Sequence, residues 1–162
     1  MGETPQIKRM MTTSNSERRT KTNKGVNMSD DILTTESIST ALLKSVFDAS
    51  YIDSTIDEDD ELVVQDIIKV RIRISSSKDR IRLYSLFGFV PDTDMTTKLD
   101  CANKINQDYL FVCSSVNDNM LFFRYDIYLA GGLSKKGLIA TVRKFASIPQ
   151  DAVQDYGKDL IE

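Results

Sequence analysis

The stretch that most limits how this chain can fold is residues 67–87, IIKVRIRISSSKDRIRLYSLF. β-Branched residues alternate with charged ones on either side of the polar residues 75–79, and a period of two on both sides of a short loop predicts a β-hairpin. The expected register pairs the residues of one face as follows: Ile74 with Ile81, Ile72 with Leu83, Val70 with Ser85 and Ile68 with Phe87. Because most of this face is apolar, we expect it to form the core.

The other face of the predicted hairpin is basic, and five of its residues are candidates for binding a partner: Lys69, Arg71, Arg73, Arg82 and Tyr84. Arg73 is expected to face Arg82, and like charges directly opposite on a sheet repel unless a carboxylate or water screens them. In one interpretation, a neighbouring strand or the acidic residues 57–61 supply that carboxylate. In the other, an acidic segment of a partner protein lies across the stripe.

Length and charge indicate one domain with a basic extension. A chain of 162 residues with 41% hydrophobic content can bury one core of ordinary size. Residues 1–30 are polar, so we expect a disordered N-terminal extension followed by a domain at residues 31–162. Residues 1–27 hold six basic and two acidic residues, a net of +4, and the whole chain carries −3, which leaves −7 for residues 28–162. A body this acidic is not expected to bind nucleic acid.

The chain contains no histidine, which excludes Ser-His-Asp and Cys-His catalysis and histidine-based zinc sites. Cys101 and Cys113 are too few and too far apart to suggest a metal site, and we expect both thiols to be free, reduced and packed. No catalytic, metal or cofactor site is therefore assigned. The remaining enzymatic hypothesis is a carboxylate-dependent enzyme of unknown reaction, pairing Asp126 with Asp100 or Glu61.

Helical patterns precede and follow the hairpin. The first helix is expected to be capped at Thr34 or Thr35 and to bury one side, which comprises Ile38, Leu42, Leu43, Val46 and Phe47. Acidic residues 57–61 are expected to turn the chain between two short strands, with their charges in water. The second helix is expected to open at residues 91–94 and to bury Met95, Leu99, Ala102 and Ile105. The third is expected to be capped by Ser134 and to end at Pro149, leaving a short surface helix or a frayed tail.

A second hairpin is predicted from residues 109–116 and 120–129, joined by the turn Asn117-Asp118-Asn119. Its second strand places Leu121, Phe123, Tyr125, Ile127 and Leu129 on one face. The opposite face is too aromatic for an ordinary solvent face, so we expect part of it to be covered. A helix packed on it and a dimer interface are the two interpretations, and the interface candidates are Met120, Phe122 and Tyr128.

Three passages resemble the YbjN family of bacterial proteins, whose fold is similar to that of type III secretion chaperones. They are the helix end Ala102-Asn103-Lys104-Ile105-Asn106, the strand at residues 121–129, and Leu129-Ala130-Gly131-Gly132-Leu133 before the helix that contains Phe145. The resemblance spans roughly residues 35–156. It implies an α+β fold in which helices pack on one face of an antiparallel sheet in the order α-β-β-β-α-β-β-α. It also implies frequent dimerisation and a non-enzymatic regulatory or chaperone-like role.

These observations favour a non-enzymatic protein that binds a protein partner, as a homodimer. A regulator, a chaperone for a secreted effector and an immunity protein that neutralises a toxin all fit this class. The sequence has no apolar run long enough to span a membrane and no secretory signal, so a cytoplasmic location is expected.

Overall fold

A six-stranded antiparallel sheet organises the fold, with three helices packed on one of its faces. The structure, a computed structural model, describes residues 1–2 and 31–162. The sheet has the strand order β2-β3-β4-β5-β7-β6, and β1 pairs with β8 separately. The elements are β1 (Ile32–Leu33), α1 (Thr40–Ala49), β2 (Ser54–Ile56), β3 (Leu62–Gln65), β4 (Lys69–Ile74), β5 (Arg80–Gly88), α2 (Met95–Asp108), β6 (Cys113–Asn117), β7 (Met120–Tyr128), β8 (Leu133–Ser134) and α3 (Lys135–Tyr156).

The predicted α+β class and its helical layer are confirmed. The element order agrees broadly with the expected one, with one further short strand before α2 and the small β1–β8 pair. The predicted disordered extension falls almost wholly on residues outside those that the structure describes. In residues 31–162, no helix is both long enough and apolar enough to cross a membrane.

The central hairpin, β4–β5, has the predicted register. Ile74 lies opposite Ile81 and Ile72 lies opposite Leu83, and all but Ile74 are fully buried. Between the strands, Ser75 N donates to Arg80 O at 2.9 Å, and Lys78 takes the left-handed backbone conformation that closes the turn (φ 58°). The apolar side of this hairpin therefore faces the core, and the basic side faces away from the helices.

Helix α1 begins later than expected. Its cap is Ser39, whose hydroxyl accepts from Leu42 N at 3.2 Å, and not Thr34 or Thr35. Thr34 instead opens a separate turn, in which Ile38 N donates to Thr34 O at 3.0 Å. Because that turn satisfies its own backbone groups, the helix shortens to the ten residues Thr40–Ala49.

Helix α2 buries Ala102 and Ile105 as predicted, but not Met95 and Leu99. Met95 and Leu99 are exposed, while Lys98, Cys101, Ala102 and Ile105 are buried. Lys98 is tolerated there because its ammonium lies 5.7 Å from the centre of the Phe89 ring and its stem covers apolar surface. The expected burial of Met95 and Leu99 is therefore wrong. The buried face is displaced by about one residue, so that Lys98 is buried in place of Leu99.

The second hairpin, β6–β7, closes through Asp118, which has a positive φ of 52°, as the turn residues predicted. Strand β6 starts only at Cys113, because residues 109–112 lead out of α2 as irregular chain. Cys101 and Cys113 are both free. Cys101 is buried, but Cys113 is exposed at the start of this edge strand, so its expected packing is wrong.

Helix α3 starts at the predicted cap, Ser134, but continues through Pro149 to Tyr156. Proline removes one backbone donor without forcing a helix to end when the flanking turns pack well. Here the Pro149 ring is itself buried, and Ala152 in the next turn is fully buried. The C-terminal segment is not frayed, because Val90 N donates to Leu160 O at 2.8 Å and Ile161 pairs with Phe89.

Candidate binding surface

The two candidate sites of the sequence lie on one surface, the sheet face opposite the helices, which we call the open face. Register places Tyr84 opposite Arg124, and Leu86 opposite Phe122, so the basic stripe of the first hairpin and the aromatic residues of the second are neighbours. Every proposed partner and dimer residue lies there: Lys69, Arg71, Arg73, Arg82, Tyr84, Met120, Phe122 and Tyr128. A homodimer through the aromatic residues and a partner on the stripe would therefore compete for the same area.

Glu61 sits beneath the basic stripe and is only 2% exposed. It precedes β3, whose register with β4 brings it beside Arg73. Arg73 Nε donates to one carboxylate oxygen of Glu61 and the Tyr84 hydroxyl donates to the other. The expectation that all the acidic residues 57–61 stay in water is wrong for Glu61, because its two hydrogen bonds, together with an ion pair to Arg71 at 3.7 Å, replace its hydration.

Asp57 holds the same acidic segment against the strands. Its carboxylate accepts from the backbone N–H groups of Asp59 (3.1 Å) and Glu61 (3.0 Å), and it also accepts from Arg71. The bond from the Glu61 N–H is the main cause that holds the pKa of Asp57 below its ordinary value, and Arg71 acts in the same direction. Residues 57–61 thus form an ordered segment along the edge of the basic stripe, which we call the acidic lip.

Tyr84 connects this lip to the centre of the open face. Burial raises the pKa of Tyr84 to about 12, and its hydrogen bond to Glu61 acts in the same direction. In addition to its ion pair with Glu61, Arg73 contacts the Tyr84 ring, with its guanidinium carbon 5.6 Å from the ring centre. The Arg73 side chain nevertheless remains 58% exposed, so part of its donor capacity faces solvent.

Asp126 on β7 supplies the carboxylate for the other arginine of the cross-strand pair. Arg82 donates to both oxygens of Asp126, at 2.8 and 3.0 Å, and Arg80 lies 3.9 Å away. The hydrogen bonds from Arg82 lower the pKa of Asp126. Glu61 and Asp126 thus relieve the repulsion between Arg73 and Arg82. This agrees with the interpretation in which carboxylates of this chain, and not those of a partner, screen the basic stripe.

The pairs considered for carboxylate catalysis are each engaged elsewhere. Asp126 is bonded to Arg82, Glu61 is bonded to Arg73, and Asp100 pairs with Lys104 at 2.7 Å on the surface of α2. In residues 31–162, no three acidic or cysteine side chains gather as metal ligands would. The open face therefore offers arginine donors and aromatic area, which suit binding of an anionic or mixed surface.

A groove of about 440 Å³ crosses the open face beside these ion pairs. None of the described residues that line it is a carboxylate; its walls are Arg73, Arg82, Tyr84, Leu86, Ser115, Asn117, Phe122 and Arg124. Four of these residues were not selected from the sequence, namely Leu86, Ser115, Asn117 and Arg124, and Arg124 is the charged one among them. Its position opposite Tyr84 could have been found only from the register between β5 and β7, which join distant parts of the chain.

The open face has a positive excess. Six basic residues lie on its strands: Lys69, Arg71, Arg73, Arg80, Arg82 and Arg124. Three carboxylates pair with them: Asp57, Glu61 and Asp126. Counting only these ion-paired carboxylates, the basic charges on the face exceed the acidic ones by three, whereas residues 28–162 as a whole carry −7.

Fold and surface together define a class. It is an α+β protein with a helical layer on one side of an antiparallel sheet and, on the other side, a charged face that no element of residues 31–162 covers. The chain belongs to the YbjN family, described as "Putative bacterial sensory transduction regulator", whose family model matches residues 39–155. The resemblance found in the sequence is thereby confirmed. No curated protein matches the chain.

Two solved structures are similar to this fold. One is YbjN from E. coli, described as "a putative transcription regulator", at 13% identity and a TM-score of 0.64, covering 77% of this chain and 96% of that chain. The other is an uncharacterized protein from Methanothermobacter thermautotrophicus, at 15% identity and a TM-score of 0.56, covering 75% of this chain and 98% of that one. At these identities the likeness concerns the fold alone.

Proposed function

We propose that this chain is a non-enzymatic, cytoplasmic regulatory protein that binds an acidic segment of a partner protein across the open face of its sheet. The observation that carries the proposal is the composition of that face. It combines an excess of three positive charges with exposed or half-buried Leu86, Phe122 and Tyr128, on a body that is otherwise acidic. Surfaces with arginine and aromatic residues together are typical of protein interfaces.

Charge favours a partner over the remaining parts of this chain. Residues 1–27 carry a net +4, the same sign as the open face, so charge complementarity favours an acidic segment of another protein over them. An acidic segment of another protein meets complementary potential, which speeds association and selects against basic partners.

Two more specific functions belong to the same class: a chaperone that holds a secreted effector, and an immunity protein that holds a toxin. Each requires one strong, specific complex. The acidic surface outside the open face favours a basic client of either kind. A basic client would bind the acidic surface outside the open face, so charge-changing variants of the open face would not affect its capture. This outcome distinguishes a basic client from an acidic partner.

A homodimer is the second candidate for the open face. Tyr128 is 66% exposed, and Leu86 and Phe122 extend the apolar area, which favours burial against a second copy. Symmetric pairing opposes this, because a two-fold axis brings the positive face of one copy against that of the other. Light scattering at micromolar concentration, with Phe122→Ser as the interface variant, measures this candidate directly.

Affinity capture with matched variants tests the proposal. Lys69→Glu and Tyr128→Asp change opposite ends of the open face, while Lys144→Glu and Tyr51→Asp make the same chemical changes on exposed residues away from it. We expect quantitative mass spectrometry to show an acidic partner lost from the first two captures and retained in the controls. Equal capture by all four variants would overturn the assignment of the open face.

A further inference from the structure

We propose that the groove on the open face is a recognition pocket for one carboxylate side chain and a neighbouring apolar side chain, presented by an extended segment of the partner. This rests on the proposed function and names the feature of the partner that is read. The groove volume of about 440 Å³ lies in the range of about 300–1,000 Å³ that is usual for sites taking discrete groups.

The charge inside the groove selects a single negative group. Three guanidinium groups line it, from Arg73, Arg82 and Arg124. Glu61 and Asp126 already pair with the first two. Among the described residues Arg124 forms no ion pair with a carboxylate: its side chain donates to Cys113 Sγ at 3.7 Å from Nη2 and acts on Asp126 only at longer range.

One uncompensated charge matches a carboxylate better than a phosphate. A phosphate monoester carries about −1.5 to −2 at neutral pH, which exceeds the single uncompensated charge of the groove walls and would need a further cation such as Arg80, which lies outside the groove and 3.9 Å from Asp126. A carboxylate neutralises Arg124 and can accept further N–H bonds from the exposed side of Arg73. The groove is therefore matched to glutamate or aspartate.

An apolar floor lies directly beside the arginines. Leu86 and Phe122 are cross-strand neighbours, one position along from the pair Tyr84–Arg124 on the same face. Ser115 and Asn117 of β6 add polar groups at the rim. Side chains two residues apart on an extended strand point the same way, so a Glu-x-Phe segment places its acid at Arg124 and its ring on Phe122.

Arg124→Gln is the informative variant, because removing this guanidinium group breaks none of the ion pairs found among the described residues. The equivalent change at Arg143, an exposed residue of α3, is the matched control. Fluorescence anisotropy is measured with short labelled peptides that centre on Glu-Thr-Phe, Gln-Thr-Phe, phosphoserine-Thr-Phe or Glu-Thr-Ser. Thermal melting of each variant establishes that the fold is intact.

We expect the Glu-Thr-Phe peptide to bind tightest and Arg124→Gln to weaken it about tenfold, the scale of one hydrogen bond to a charged group. Arg143→Gln should bind like the parent. Absent binding, equal binding of the Gln-Thr-Phe peptide, or no effect of Arg124→Gln would overturn the pocket, and tighter phosphoserine binding would overturn its preference for a carboxylate. If the pocket fails while Lys69→Glu and Tyr128→Asp still abolish partner capture, the open face stands and only its recognition element is wrong.

Discussion

Glu61 is the residue on which the shape of the open face depends, because its single buried carboxylate joins the acidic lip to two strands. It accepts from Arg73 of β4 and from the Tyr84 hydroxyl of β5, while Asp57 fixes the backbone that carries it. A carboxylate that is 2% exposed persists only when such partners replace water. The lip and the groove are therefore coupled through one side chain.

Replacing Glu61 with alanine should destabilise the fold. The change leaves the Tyr84 hydroxyl and the Arg73 guanidinium without their acceptor, at a cost of about 1–3 kcal/mol in the free energy of unfolding. Urea denaturation measures it. Asp59→Ala, an exposed carboxylate in the same lip, should stay within about 0.5 kcal/mol of the parent. A Glu61→Ala protein as stable as that control would contradict the structural role.

Tyr84 should make stability depend on alkaline pH. Its pKa is raised from 10.0 to about 12 in the fold, so the unfolded chain loses this proton first. The stabilisation is complete below pH 10 and is lost as the pH rises toward 12. Compared with Tyr84→Phe, the parent should therefore lose stability in urea titrations as the pH rises through this window. A constant difference between the two proteins would show that the Tyr84 phenol is not held neutral by the fold.

At the scale of elements, Asn106 joins α2 to the edge strand β6. Its Oδ1 accepts from Ser114 N at 2.7 Å and its Nδ2 donates to Ser114 O at 3.0 Å, which is the bonding a further strand would make. The Ser114 hydroxyl completes the joint by donating to Ala102 O at 2.8 Å. The sheet edge is thus covered by a side chain, which prevents edge-to-edge pairing at this point.

Asn106→Ala should weaken that edge. Two backbone groups of Ser114 lose their partners, so we expect a loss of about 1–3 kcal/mol in unfolding free energy and faster exchange of the Ser114 amide hydrogen. Asn103→Ala, an exposed asparagine in the same helix, is the control and should change neither quantity. Unchanged exchange at Ser114 in Asn106→Ala would mean that the side chain does not protect the edge.

The sequence predicted the elements whose pattern is local. Hairpin β4–β5 was predicted with its register because alternation and turn length both act within about twenty residues. The inward face of α2 and the passage of α3 through Pro149 depend on packing against distant segments, which no local pattern contains. The start of α1 was missed for a local reason, because the turn at Thr34 satisfies its own backbone groups and leaves Ser39 as the cap. The same limit explains the site: five of its residues were selected from the stripe, but Arg124 joins them only through the β5–β7 register.

At the scale of the whole molecule, the two uses considered for the open face respond to salt in opposite directions. An acidic partner is attracted by the positive excess of that face, whereas a symmetric dimer must bring two such faces together. Raising the ionic strength from about 0.1 M to 1 M shortens the screening length from about 10 Å to 3 Å and weakens both effects. A single salt titration therefore distinguishes binding of an acidic partner from formation of a symmetric dimer.

We expect added NaCl to weaken capture of the acidic partner and to favour any dimer that forms through the open face. Peptide anisotropy and sedimentation equilibrium, run across the same salt series, measure the two responses. Arg124→Gln removes one positive charge and should flatten both dependences, while Arg143→Gln, which makes the same change on exposed α3, should leave them steep. Partner binding that is indifferent to salt would show that apolar contact at Phe122 and Tyr128, and not the arginines, drives recognition.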